Sequence, residues 1–335
     1  MNPRPTYPYQ RPGLVVLAAL SSLTMMSCTA NPLLQDAGRM GPSVLEQIPE
    51  SRSITAVASD GSNLVGVLVA APSQAPIVLH LLPSGASIET GISVGIGRTG
   101  LESCLRAHEQ WGASSVVFDY RGIGSSEGRK DFDRFLEDGN AMWHEAVRLA
   151  GGREDQVIIR ASSLGTLIAA NLLDGGAKPA GVILFAPVRS STIVRHAIAS
   201  QRGSAWATLA AGFFRSPDAP DLDDIARKAQ TPMLVLLPNE DEFLPADEAI
   251  AIAITSRAAG HEVVEIPGDH QTTVLRSWNF VIDADGRSGR RVSTLTDAEL
   301  RFLNDLRPRL FESNEAKWPT ENPTDQDPLP PAARR

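Results

Sequence analysis

Short apolar runs constrain this chain more than any other feature: "APIVLHLLPSG", "ASSVVFDYRG", "QVIIRASS", "AGVILFAP", "TPMLVLLPNE" and "HEVVEIPG". Each stops at small or turn-forming residues. Helical stretches such as "DFDRFLEDGNAMWHEAVRLAGG", "GTLIAANLLDGG" and "DEAIAIAITSRAAG" fall between them. Apolar strands alternating with helices belong in a mostly parallel sheet covered on both faces. One hairpin precedes them: "SITAVASDGSNLVGVLVAAP" turns at Asp60-Gly61 and predicts an antiparallel edge. The expected fold class is therefore α/β.

At 335 residues, with 42% apolar and 21% charged side chains, the chain can bury a sizeable core. Its formal net charge of −8 and lack of a Lys/Arg cluster argue against nucleic acid as a partner. The main domain is expected over residues 51–312. Within it, the interval 188–230 is too long for a simple connection and carries the helical-looking pieces "TIVRHAIASQ" and "SAWATLAAGFF". It is either a small helical lid or a helical hairpin that only covers the sheet. Residues 313–335 are polar and proline-rich, as in a disordered tail. Residues 278–293 have no evident role.

The amino terminus has a different character. Arg4 and Arg11 precede the apolar run "GLVVLAALSSLTMMSC", which has the length of a signal-peptide core and is short for a membrane span. "MMSC" resembles the lipobox of bacterial lipoproteins. That resemblance implies a signal peptide over 1–27, lipidation of Cys28, a tether over 28–50, and an exported, membrane-anchored protein on the periplasmic or outer-envelope face; simple secretion is the alternative. Only Cys28 and Cys104 are present, so a lipidated Cys28 leaves no partner for an intrachain disulfide. Cys104 reads as a small apolar helix residue.

Open parallel sheets bind ligands at the carboxyl ends of their strands. Three late strand ends carry reactive groups, in the order Ser, Asp, His. In "RASSLG" a strand meets a helix, and a sharp turn there needs small residues two places either side of its apex. With Ser163 at the apex the flanks are Ala161 and Gly165; with Ser162 they would be Arg160 and Leu164, which are too large. Ser163 is the candidate nucleophile, although the pentapeptide taken alone would be better read as a helix cap. "LLPNEDEFLP" places three acids after a strand; Asp241 has the short side chain suited to orienting an imidazole, with Glu240 as the alternative. "VVEIPGDHQTT" places His270 in the loop after the last strand. The other histidines fall within strands or helices, or at a strand's opposite end.

These residues, together with "VVFDYRGIGSSEG", resemble the α/β-hydrolase superfamily, in particular serine hydrolases of the esterase, lysophospholipase and serine aminopeptidase kind. The resemblance runs from about Ile54 to Leu310. It implies a Ser163–Asp241–His270 triad, an acyl-enzyme mechanism on a small-molecule acyl substrate, and no metal or organic cofactor. In the family the "DYRGIGSSEG" loop is structural. Two departures stand out: Ala161 replaces the elbow's first glycine, and "HLLPSGAS" replaces the usual His-Gly of the oxyanion-hole loop. Pro83 has no N–H, so the implied oxyanion donors are the backbone of Leu164 and of Gly85 or Ala86. Esterase activity is the first expectation, with a peptidase, an acyltransferase or a non-catalytic lipid-anchored binding protein as alternatives.

Overall fold

The computed structural model describes residues 48–311, apart from 49, 72–74, 89–90, 95–96, 100–104, 106–107, 110, 194, 196–217 and 277–293. The expected signal peptide, Cys28, most of the tether, Cys104, the middle of the insertion, residues 278–293 and the tail lie outside these.

The chain opens with β1 (Arg52–Val57) and β2 (Asn63–Val69), an antiparallel pair turning through Gly61 at φ +85°. There follow β3 (Ile77–Leu81), the short strands β4 (Ala86–Ser87), β5 (Gly91–Val94) and β6 (Gly97–Thr99), then β7 (Ser114–Phe118). Helix α1 (Phe132–Leu149) leads to β8 (Val157–Ser162), α2 (Gly165–Asp174) and β9 (Gly181–Phe185). After the insertion come α3 (Leu222–Lys228), β10 (Met233–Pro238), α4 (Ala246–Ala258), β11 (Glu262–Ile266), α5 (His270–Arg276) and α6 (Thr294–Phe311).

Eight strands form one sheet in the order β1-β2-β7-β3-β8-β9-β10-β11. β2 runs antiparallel to β7, and every pairing from β7 to β11 is parallel. The expected α/β class and antiparallel leading edge are both present. The strands β3, β7, β8, β9 and β10 are buried along their length, which is why they read as apolar runs rather than as alternating ones.

Each face of the sheet has its own core. Val157, Ile159 and Ala161 of β8 join side chains of α1, α2, α3 and α4 on one side. Ile158 faces the other side, where Trp111 and Phe302, Leu303 and Leu306 of α6 pack. Full burial of each such side chain is worth about 1.5–3 kcal/mol, so α6 is a structural wall of the fold. It lies close enough to β9 that a Cβ at Gly181 would run into Leu306.

The small sheet β4-β5-β6 had no signal in the sequence, and the short α5 lies beside its last two strands. The two ends of the insertion are bound to each other. Ser190 Oγ donates to the Ala219 carbonyl at 2.5 Å, and Arg189 pairs with Asp223 at 3.2 Å. Thr192 Oγ1 donates to Glu248 of α4 at 3.0 Å, so the base of the insertion is fixed to the sheet's helical cover.

Candidate active site

The elbow begins where β8 runs out. Its last residue, Ser162, is fully buried, and the next, Ser163, turns to φ +49°, a left-handed conformation that costs a non-glycine residue energy. The turn is held from three sides. Ser163 N–H donates to the Phe185 carbonyl of β9 at 2.9 Å, while Thr166 N–H and Oγ1 both donate to the Ser163 carbonyl, at 2.9 and 2.6 Å. Gly165 opens α2 against β3, and a Cβ there would run into the carbonyl oxygen of Leu81. That close approach explains why a small residue stands two places beyond the apex. Ala161, two places before it, is fully buried between neighbouring strands.

Ser163 and its counterparts come together from elements far apart in the chain. Ser163 Oγ lies 2.7 Å from His270 Nε2. His270 Nδ1 lies 2.8 Å from Asp241 Oδ2 and 3.1 Å from Oδ1. With Nδ1 facing a carboxylate, the ring proton belongs there and Nε2 is left to accept the serine proton. The Asp241 side chain is fully buried and also accepts the N–H groups of Phe243 and Leu244, at 2.7 and 3.0 Å, through Oδ1. Glu240, the alternative acid, is exposed, and its own N–H donates to the Gly268 carbonyl. Among the described residues the other histidines stand elsewhere: His261 bonds the Ala226 carbonyl, His144 is exposed on α1, and His80 and His108 are buried on the sheet's other face.

One expectation needs correcting. His270 does not sit in a loop; it is the first residue of α5, capped by Asp269, whose Oδ1 accepts the Thr272 N–H at 2.7 Å. The first-turn N–H groups of a helix need partners outside it. The Glu242 carboxylate supplies one, accepting the His270 N–H at 3.1 Å. Phe243 sets its ring against the imidazole, centroids 4.8 Å apart. Sequence reasoning found neither contact: Glu242 read only as one of three acids after a strand.

Leu164 follows Ser163 directly at the start of α2. Gly85 and Ala86, the other implied sources of an oxyanion donor, follow β3, the strand paired with β8 through Leu81 and Ala161. Gly85 turns at φ +74°, a conformation glycine adopts without cost. Among the described residues, no group of three or more His, Cys, Asp or Glu side chains is arranged to hold a metal.

Over residues 101–266 the chain matches the family model described as serine aminopeptidase, S33. No curated protein matches it significantly. Among solved structures it is similar to an esterase of Pyrococcus furiosus (TM-score 0.60, 12% identity, covering 83% of this chain and 99% of that one). It is also similar to an α/β hydrolase of Vibrio vulnificus (TM-score 0.52, 20% identity, 82% and 93% covered). A third similar structure is an acylaminoacyl peptidase of Pyrococcus horikoshii (TM-score 0.52, 15% identity), for which the match covers 77% of this chain and 41% of that one. Sheet order, elbow and these likenesses agree: the chain has the α/β-hydrolase fold.

Proposed function

We propose that this protein is a serine hydrolase that cleaves a carboxylic ester or thioester by acyl transfer through Ser163, His270 and Asp241. The observation that carries the reading is the unbroken hydrogen-bond chain from Asp241 through His270 to a serine on a strained strand-to-helix turn. His270 Nε2 takes the hydroxyl proton as Ser163 Oγ bonds to the substrate's carbonyl carbon. The tetrahedral oxyanion rests on the backbone N–H groups of Leu164 and of Gly85 or Ala86. Collapse breaks the bond to the leaving group, which departs with the proton from Nε2. Water then adds by the same route, giving up its proton to Nε2, and releases the acid and free Ser163. Asp241 keeps the Nδ1–H tautomer in place and stabilises the imidazolium that forms.

A peptidase reading has specific support in the serine aminopeptidase model that matches residues 101–266. A fluorophosphonate probe tests the shared chemistry: it should label the wild type and Ser162→Ala, and leave Ser163→Ala unlabelled. Labelling of Ser163→Ala would overturn the assignment. p-Nitrophenyl esters of increasing chain length, assayed beside amino-acid amides, separate the two substrate classes. Lipidation of Cys28 would bring the site to a membrane surface, where acyl lipids are at hand.

A further inference from the structure

The segment implied to carry the oxyanion donors, Pro83–Ser87, lacks the His-Gly usual in the family and must get its order from elsewhere. Both of its ends are held by two adjacent residues just past β7. Tyr120 Oη donates to the carbonyl of Leu82, the first residue after β3, at 2.6 Å. Asp119 Oδ1 accepts the N–H of Ile88, the first residue after β4, at 2.7 Å. Everything between these two anchors is the turn through Gly85 and the short strand β4.

The anchors are themselves immobilised. Tyr120 and Asp119 are buried, and the Tyr120 ring meets Phe135 of α1 edge-on at 4.8 Å. The Asp119 carbonyl accepts Ser126 Oγ at 2.8 Å, and that hydroxyl accepts the Val65 N–H of β2, also at 2.8 Å. Gly124, at φ +54°, closes against the Asp119 carboxylate so tightly that any Cβ would collide with it. Burial pushes the Tyr120 phenol far above its usual range, so it remains a donor across the working pH.

We infer that Tyr120 and Asp119 are positioning residues for the oxyanion hole: together they fix the two ends of Pro83–Ser87 and so aim its backbone N–H groups at the elbow. An oxyanion hole works because its donors are already in place when charge develops. Here a neighbouring strand end supplies that order at both ends of the segment through one hydroxyl and one carboxylate, beside the pairing of β4 with β5. The inference rests on the serine-hydrolase reading above.

Tyr120→Phe is the sharpest test, because it deletes one oxygen and keeps the ring that packs on Phe135. Wild type and variant are compared on a p-nitrophenyl ester, with active sites counted by probe titration so that misfolded protein does not enter the rate. A trifluoromethyl ketone, which forms a hemiketal oxyanion on serine, reports the hole directly. We expect kcat per active site to fall about tenfold, less than the ~100-fold or more lost when an oxyanion donor is removed outright. KM should stay within about twofold, and ketone affinity should fall by about the same factor as kcat. Unchanged kcat and ketone affinity, or a change confined to KM, would overturn the positioning role. A wild type that neither labels nor turns over ester or amide would overturn the hydrolase reading itself, and this is seen before any variant is made.

Discussion

At the scale of single residues, the elbow joins two opposite demands on the backbone. Ser163 occupies a left-handed conformation that disfavours any side chain, and Gly165 sits where no side chain fits. The first cost, about 1–3 kcal/mol, is tolerated because strand, helix and the Phe185 carbonyl all fix the turn. The second is a packing limit with a measurable consequence. Gly165→Ala must push α2 away from β3 or distort the elbow, an overpacking cost of about 1–3 kcal/mol. The displacement falls on the residue beside Leu164, so probe labelling of Ser163 should slow along with the loss of stability. Wild-type melting temperature and labelling rate in Gly165→Ala would show that the predicted contact with Leu81 is not limiting. This logic of small flanks was legible in "RASSLG" because it depends only on sequence spacing. What the spacing left undetermined was the company His270 keeps. A carboxylate two residues before Leu244 says nothing in sequence about which backbone N–H it will meet.

At the scale of elements, strands and helices that bury whole apolar faces could be read directly, and elements held by other means could not. The strands β4, β5 and β6 are two to four residues long, too short to display a period. The glycine-rich loop after β7 was legible as a turn, but its partners were not. Arg121, nearly buried, forms a two-pronged pair with Asp138 of α1, Nε at 2.9 Å and Nη2 at 2.5 Å. Its remaining nitrogen reaches Asp60, in the β1–β2 turn, at 2.7 Å. One guanidinium thus joins hairpin, loop and helix, and the Asp60 carboxyl is held well below the usual carboxylate range, chiefly by its hydrogen bond to Arg121. A lysine presents one charged point and cannot reproduce that fork. Arg121→Lys should therefore be distinctly destabilised, and Arg121→Ala more so, by about 3–5 kcal/mol, because buried Asp138 loses its counter-charge. Hydrogen exchange should show the loss of protection concentrated in the Asp60 turn and the loop after β7. Uniform exchange across the sheet would mean that Arg121 does not join these elements.

At the scale of the whole molecule, α6 is fastened to β8, the strand that leads into the elbow, by charges buried beside an apolar layer. Arg160 of β8, with no exposed surface, stands on the opposite face from Ile159 and Ala161, over the ring of Phe185 at 4.4 Å. Its Nε lies 2.7 Å from Oε1 of Glu299 in α6, and His108 Nε2 lies 3.1 Å from the same oxygen. Arg160 and Glu299 are 139 positions apart, so no local pattern could announce the pair; in sequence Arg160 was merely a residue too large to flank an elbow. Burial pushes the Glu299 carboxyl up, but Arg160 and His108 outweigh it and hold the pKa at about 2, against 4.5 for a free glutamate. A carboxyl depressed on folding contributes stability that is fully present above its unfolded value and disappears as pH falls from about 4.5 toward 2. Glu299→Gln leaves Arg160 as a buried charge without its counter-ion. It should cost about 3–5 kcal/mol in urea unfolding at pH 7. Because the glutamine cannot titrate, the gap between wild type and variant should narrow as the pH is lowered through that window. Replacing both partners by apolar residues, as in Arg160→Met with Glu299→Leu, removes the stranded charge and should recover much of the loss. If the single and double variants are equally unstable, or the gap is the same at pH 7 and pH 3, the network does not hold α6 to β8 by charge, and the helix is retained by the packing of Phe302, Leu303 and Leu306 alone.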